Sequence, residues 1–165
     1  MIPSRRPILP AALAAGLLVF MPALAFRADA LEAVVFLSDA RPAVWATGIG
    51  GTIATTWFKI ISLEGEVARQ PGEPLDSSMT SFTASAMLAP PLGALTPYGG
   101  LGVGLFRQSR GALRDNGTLK AFVLGLKLKV GGLLVFRGEF RALDLSGEPL
   151  LEMDHRLSAG IGLSF

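Results

Sequence analysis

Arg156-Leu157-Ser158-Ala159-Gly160-Ile161-Gly162-Leu163-Ser164-Phe165, the last ten residues of the chain, alternate in character from one residue to the next. Phe165, Leu163, Ile161, Ala159 and Leu157 fall on one strand face, and Ser164, Gly162, Gly160, Ser158 and Arg156 on the other, because side chains of a strand point alternately to opposite faces. One face is apolar and the other small, polar or charged. A strand with lipid on one side and a polar lumen on the other requires that division. A half-buried strand of a soluble sandwich would accept it too, and the opposite end of the chain separates the two.

Arg5 and Arg6 precede an apolar stretch from Ile8 to Met21, and Ala23-Leu24-Ala25 follows it. A basic start, an apolar middle and an Ala-x-Ala end form the three-part layout of a secretory signal, with cleavage expected after Ala25. The stretch is short for a membrane span and contains Pro10, and Phe26-Arg27-Ala28-Asp29 offers no stop-transfer cluster. Residues 1–25 therefore read as a signal peptide and residues 26–165 as one domain. Cleavage removes two of the 15 basic residues and none of the 13 acidic ones, so the mature charge is zero. That balance argues against nucleic acid as a partner. With no cysteine there is no lipidated thiol, no disulfide and no thiolate metal site.

Half the chain is hydrophobic and its mean hydropathy is +0.49, yet no long apolar run follows the signal. An alternating barrel reconciles the two, since each strand is only half apolar. Eight candidate strands emerge at about 30–37, 43–55, 60–69, 79–89, 97–107, 119–130, 133–144 and 155–165. The fold expected is all-β, an eight-stranded antiparallel up-and-down transmembrane β-barrel. Long polar connections are expected after the third, fifth and seventh strands, at 70–78, 108–118 and 145–154, with Asn116-Gly117-Thr118 as a turn. The connections on the other side are shorter, and Gly131-Gly132 reads as a tight hairpin. Trp45, Trp57, Phe58 and Tyr98 fall near strand ends, where interfacial aromatic girdles belong.

The inward faces collect Glu64, Glu66, Lys127, Lys129, Arg137, Glu139, Arg141 and Arg156. Their mixed signs allow mutual pairing, and an eight-stranded barrel is only wide enough for side chains to fill. A closed, charge-paired lumen is expected. Gly100, Gly102 and Gly104 share one face and would make room inside so narrow a barrel. No catalytic, cofactor or metal site emerges. His155 is the only histidine, and Ser158, three residues on, falls on the opposite strand face, which is poor geometry for a His–Ser pair. Glu64 and Glu66 share a face as an acid/base pair would, but facing basic residues explain them equally well.

Leu63-Glu64-Gly65-Glu66, the segment Thr96-Pro97-Tyr98-Gly99-Gly100-Leu101-Gly102-Val103-Gly104-Leu105, Arg137-Gly138-Glu139-Phe140-Arg141 and the closing segment from Asp154 to Phe165 together resemble the small outer-membrane β-barrel domain family, the OmpA-like and porin-like eight-stranded proteins. The resemblance implies export to a Gram-negative-type outer membrane, contact with its lipids, and insertion by the barrel assembly machinery. The recognition signal would be the last strand, with Phe165, Leu163 and Ile161. It implies no catalytic residue and no cofactor. A monomer with a structural or envelope role is the leading expectation. The alternatives are a lipid-modifying barrel enzyme and a secreted soluble barrel that binds a small apolar ligand.

Overall fold

The computed structural model describes residues 30–41, 45–72, 77–147 and 149–165. The expected signal, residues 1–25, lies outside them. Eight strands follow one another: β1 (Ala30–Arg41), β2 (Gly48–Trp57), β3 (Ile61–Gly72), β4 (Ser77–Leu88), β5 (Leu95–Arg110), β6 (Leu113–Val130), β7 (Leu134–Ser146) and β8 (His155–Ser164). Each pairs antiparallel with the next, and β8 pairs back to β1 to close the barrel. The closing seam runs from Glu32↔Ser164 to Arg41↔His155. Beyond it, Phe165 and Leu31 exchange backbone hydrogen bonds of 2.8 and 3.0 Å. Closure satisfies every strand edge, which a sheet in lipid cannot leave open.

The alternation read from the sequence sets the two faces. On β6, Phe122, Leu124, Leu126, Leu128 and Val130 are exposed on the outer wall, while Val123 and Lys127 are buried inside. On β8, Leu157, Ile161 and Leu163 point out and Arg156 and Ser164 point in. β2, whose Gly, Ala and Thr content blurs the pattern, resolves the same way, with Ile49 and Ile53 outside and Thr52 and Ala54 inside. Exposed aliphatic and aromatic residues thus encircle the barrel and its polar residues are enclosed, the reverse of a soluble β-barrel that holds an apolar ligand in its lumen.

The connections differ from the expected ones. β5 and β6 continue as a paired ladder up to Arg110↔Leu113, so only Gly111 and Ala112 make the turn, with Gly111 at φ 58°. Most of the expected 108–118 loop is therefore strand. Asn116-Gly117 lies opposite Arg107 and Phe106 and is not a turn. β3 likewise runs to Gly72 and β4 begins at Ser77, which takes up most of the expected 70–78 loop. The reason is physical: above the apolar band both strand faces become polar, so the side-chain alternation fades, while backbone pairing continues unaffected. The marked difference in loop length expected between the two ends is correspondingly reduced.

At the end that holds the C-terminus, β2 and β3 are joined through Phe58 (φ 52°) and Lys59 (φ 61°), with the Ile60 N–H donating to the Trp57 carbonyl at 3.2 Å. Two successive left-handed residues define a type I′ turn, which matches strand twist. It is uncommon without Gly or Asn. We refer to this as the turn end and to the opposite one as the loop end.

The inward glycines are required by close approach. A Cβ on Gly104 would collide with the Phe82 carbonyl oxygen and stand 2.9 Å from Thr83 Cα, whereas one on Gly138 meets nothing within 4 Å. Gly104→Val is expected to destabilise the barrel by about 1–3 kcal/mol and Gly138→Val by under about 0.5 kcal/mol, read from reversible urea unfolding in detergent.

Candidate functional site

The middle of the lumen holds a continuous ion-paired chain. Arg137 of β7 grips Glu64 of β3 with two nitrogens, one contact at 3.0 Å, and also pairs with Glu139. Arg141 donates to Glu64 at 2.6 Å and to Glu139 at 2.6 Å, and forms an ion pair with Glu66 at 3.1 Å without a hydrogen bond. Glu66 in turn accepts from Arg156 of β8 at 2.5 Å. The strand period explains the sequence spacing, because Arg137, Glu139 and Arg141 at i, i+2 and i+4 occupy one face, as do Glu64 and Glu66. Barrel closure brings those two faces together across the lumen. Arg141 is only 1 % exposed, so its charge depends on the carboxylates around it.

Tyr98 enters this network. Its hydroxyl donates to Glu139 at 2.9 Å and accepts from Arg137 Nε at 2.6 Å. The Arg137 guanidinium also lies 4.9 Å from the Tyr98 ring centroid, a cation–π geometry. The girdle position expected for Tyr98 is thus incorrect; at 3 % exposure it is a lumen residue. Its neighbour across the sheet is Gly125, where a Cβ would overlap the phenol ring. That glycine is what admits the ring.

A second pair lies toward the turn end, where Lys127 meets Glu32 of β1 at 2.5 Å. Glu32 escaped the sequence reading because Val34-Val35-Phe36-Leu37 is apolar on both faces; its same-face partners Val34 and Phe36 gave no polar cue. Lys129 falls on the inward side as expected but does not join the network. It is half-buried beside the β6–β7 turn and makes no ion pair among the described residues, because it stands two residues nearer the barrel rim than Lys127. With Lys129 aside and Glu32 added, the enclosed pairs comprise Glu32, Glu64, Glu66 and Glu139 against Lys127, Arg137, Arg141 and Arg156. Four charges of each sign cancel.

Toward the loop end the enclosed charges give way to apolar side chains set among neutral polar ones such as Gln70 and Gln108. Trp45, Met79, Phe106, Leu119 and Met153 are buried in one cluster. Trp45, also expected in a girdle, instead donates its indole N–H to the Glu152 carbonyl at 2.9 Å. Gln108 of β5 clamps Leu151 through both its amide oxygen and nitrogen, at 3.0 and 2.6 Å. The Asp154 N–H donates to the Arg41 carbonyl at 3.0 Å. Residues 151–154 are thereby pinned at the loop end, with Met153 buried in the cluster. Trp57 and Phe58, in contrast, stay at the turn end, and Phe58 is 80 % exposed.

Among the described residues no reactive constellation accompanies this packing. His155 stacks against Phe140 with ring centroids 5.8 Å apart, while Ser158 lies opposite Ser38 and Glu139 in the ladder on the other face. Among the described residues no three His, Asp or Glu side chains form a metal-binding group.

A closed antiparallel barrel of eight strands, apolar outside and ion-paired inside, is the architecture of a membrane-spanning barrel. The chain has that fold. Solved structures bear it out. The N-terminal β-barrel domain of Pseudomonas aeruginosa OprF superimposes with a TM-score of 0.58 at 18% identity, covering 84% of this chain and 98% of that one. Neisserial surface protein A gives 0.61 at 16% identity over 82% and 95%. The Yersinia pestis outer membrane protein Ail, in a phospholipid bilayer nanodisc, gives 0.57 at 13% identity over 82% and 99%. No protein-family model matches the sequence, and no curated protein matches it either.

Glu64→Ala leaves Arg137 and Arg141 buried with one carboxylate fewer. It is expected to cost about 3–5 kcal/mol in urea unfolding, and Lys129→Ala under about 0.5 kcal/mol. Tyr98→Phe, which deletes only the bridging hydroxyl, should cost about 1–3 kcal/mol.

Proposed function

We propose that this protein is a non-enzymatic, monomeric outer-membrane barrel that serves the envelope structurally, with a lumen closed to steady solute flow. The observation that carries the reading is the inverted polarity of the barrel, with exposed Val35, Leu101, Val103, Leu126 and Leu157 outside and neutralised charge inside. Burial of such a belt in lipid is strongly favoured, at about 25 cal/mol for each Å² removed from water, whereas in water it would aggregate. The similarity in fold to OprF, NspA and Ail supports the location.

Two layers support closure. The ion pairs fill the middle of the lumen, and the Trp45–Met153 cluster fills its loop end. A pore would need both to separate, which would expose unpaired buried charges at a cost of several kcal/mol. The absence of a His–Ser alignment and the outward stacking of His155 on Phe140 support a non-enzymatic role over lipid modification. The filled lumen and apolar exterior oppose a soluble carrier of an apolar ligand. For assembly we assign recognition by the barrel assembly machinery to the last strand. Leu163, Ile161 and Phe165 project outward from the closing seam, with Phe165 69 % exposed beside the turn end.

Cells expressing the full precursor are expected to carry the mature protein in the outer-membrane fraction as a band that shifts when the sample is boiled. A soluble product indifferent to boiling overturns the reading. Deletion of Phe165 should lower the inserted fraction severalfold, and the purified barrel should show no steady conductance in planar bilayers.

A further inference from the structure

The outer wall is not uniform at the upper edge of its apolar band. Ladder partners Ile49↔Arg69, Arg69↔Thr80, Thr80↔Arg107 and Arg107↔Asn116 place one row across β2 to β6. Arg69, Thr80 and Arg107 share the outward face, since Ala68, Met79 and Phe106 on either side are buried inside. The two arginines stand two strand spacings apart, roughly 10 Å, close enough for both to reach one phosphorylated group. Directly beyond them, Ser78 and Ser109 face each other with their hydroxyls 3.0 Å apart, and Arg114 is the ladder partner of Ser109.

Elsewhere on this rim Arg41 pairs with Asp39 at 3.8 Å on β1, and Lys120 with Asp144 at 3.9 Å between β6 and β7. Arg69, Arg107 and Arg114 have no ion-pair partner among the described residues. On the outward face of the described upper parts of β3, β4 and β5 the row thus carries two arginines and no carboxylate.

Below this row the wall is concave. A groove of about 740 Å³ crosses β8, β1, β2, β3 and β4, with Val35, Ile53, Val67, Phe82, Ile161 and Leu163 as its apolar walls. Its floor is low because Gly51 and Gly65 have no side chain there. Val67 is two residues below Arg69 on the same face, and Phe82 two below Thr80. The groove thus opens onto the arginine row with no intervening side chain on these strands.

We propose that this wall binds one class of ligand, a phosphorylated glycolipid of the outer leaflet of the lipid A type, with its phosphate on Arg69 and Arg107 and an acyl chain in the groove. The inference rests on the outer-membrane reading above. Charge complementarity selects an anion, and the guanidinium fork suits phosphate. Continuity of the basic row with an apolar groove selects an anion that carries a chain. The loop end, where the row lies, is the end that faces outward when the C-terminal strand terminates on the inner side.

The test uses the mature barrel in phosphatidylcholine nanodiscs, titrated with bisphosphorylated lipid A, with dephosphorylated lipid A, or with inorganic phosphate alone, and read by native mass spectrometry. Folding is scored separately by the boiling shift, whose loss in the wild type would count against the membrane reading itself. Bisphosphorylated lipid A should bind the wild type, and Arg69→Gln/Arg107→Gln should weaken it about tenfold or more, one charge-assisted contact being worth that much. Gly51→Leu should also weaken it severalfold by filling the groove. A Cβ at Gly51 approaches only the Val34 carbonyl oxygen, at 3.5 Å, so the barrel tolerates the change. Equal binding of the two lipids, or unchanged binding by the double arginine variant, overturns the phosphate site. Binding of inorganic phosphate as tight as that of the lipid, or indifference to Gly51→Leu, overturns the acyl groove.

Discussion

Glu64 and Glu66 on one wall of the lumen meet Arg137, Arg141 and Arg156 on the other, and the rest of the molecule is compatible with that meeting or follows from it. An eight-stranded barrel has room only for side chains. Any charge that points inward must therefore find its counter-charge there or carry a desolvation cost of several kcal/mol. Arg141 touches three carboxylates, and Glu64 is shared by two arginines. The network therefore ties β3, β7 and β8 together across the barrel, in addition to the backbone ladder around it. It stabilises a specific closed register: a one-residue slip of any of these strands would turn its charges into the apolar band.

The remaining volume is shared between glycines and apolar side chains. Gly125 admits the Tyr98 ring and Gly104 lies against β4, so the small residues of β5 and β6 adjust the bore to its contents. Toward the loop end, charge gives way to Trp45, Met79, Phe106 and Met153, and the return segment 151–154 is fastened by Gln108 and Arg41. The lumen is filled in two layers, by ion pairs in the middle and by side-chain packing toward the loop end. The outer wall is apolar where lipid chains would lie and polar above, where Arg69 and Arg107 share one row without an ion-pair partner among the described residues.

Strand number, order and facing were legible in the chain because all three depend on local alternation. The terminal segment is the clearest case, where each of Leu157, Ile161 and Leu163 lies outside as its parity requires. The identity of most lumen charges was legible for the same reason. Strand length was not. β5 and β6 extend through Arg107-Gln108-Ser109 and Asn116-Gly117-Thr118, where polarity on both faces removes the alternating signal and only the ladder persists. Glu32 was hidden by an apolar strand, and Lys129 was over-read because parity states direction but not depth.

By itself, then, the sequence determined what strand periodicity can encode: eight strands, an apolar exterior, a charged interior and a narrow bore. Only the tertiary structure decided who meets whom. Tyr98 and Trp45 have the sequence context of interfacial aromatics, yet closure places Tyr98 between Arg137 and Glu139 and Trp45 beneath Glu152. Likewise Arg69 and Arg107 are 38 positions apart in the numbering but share one row through Thr80. Contacts across a lumen or along a ladder depend on register and shear of the closed sheet, which are properties of all the strands together and of no single segment.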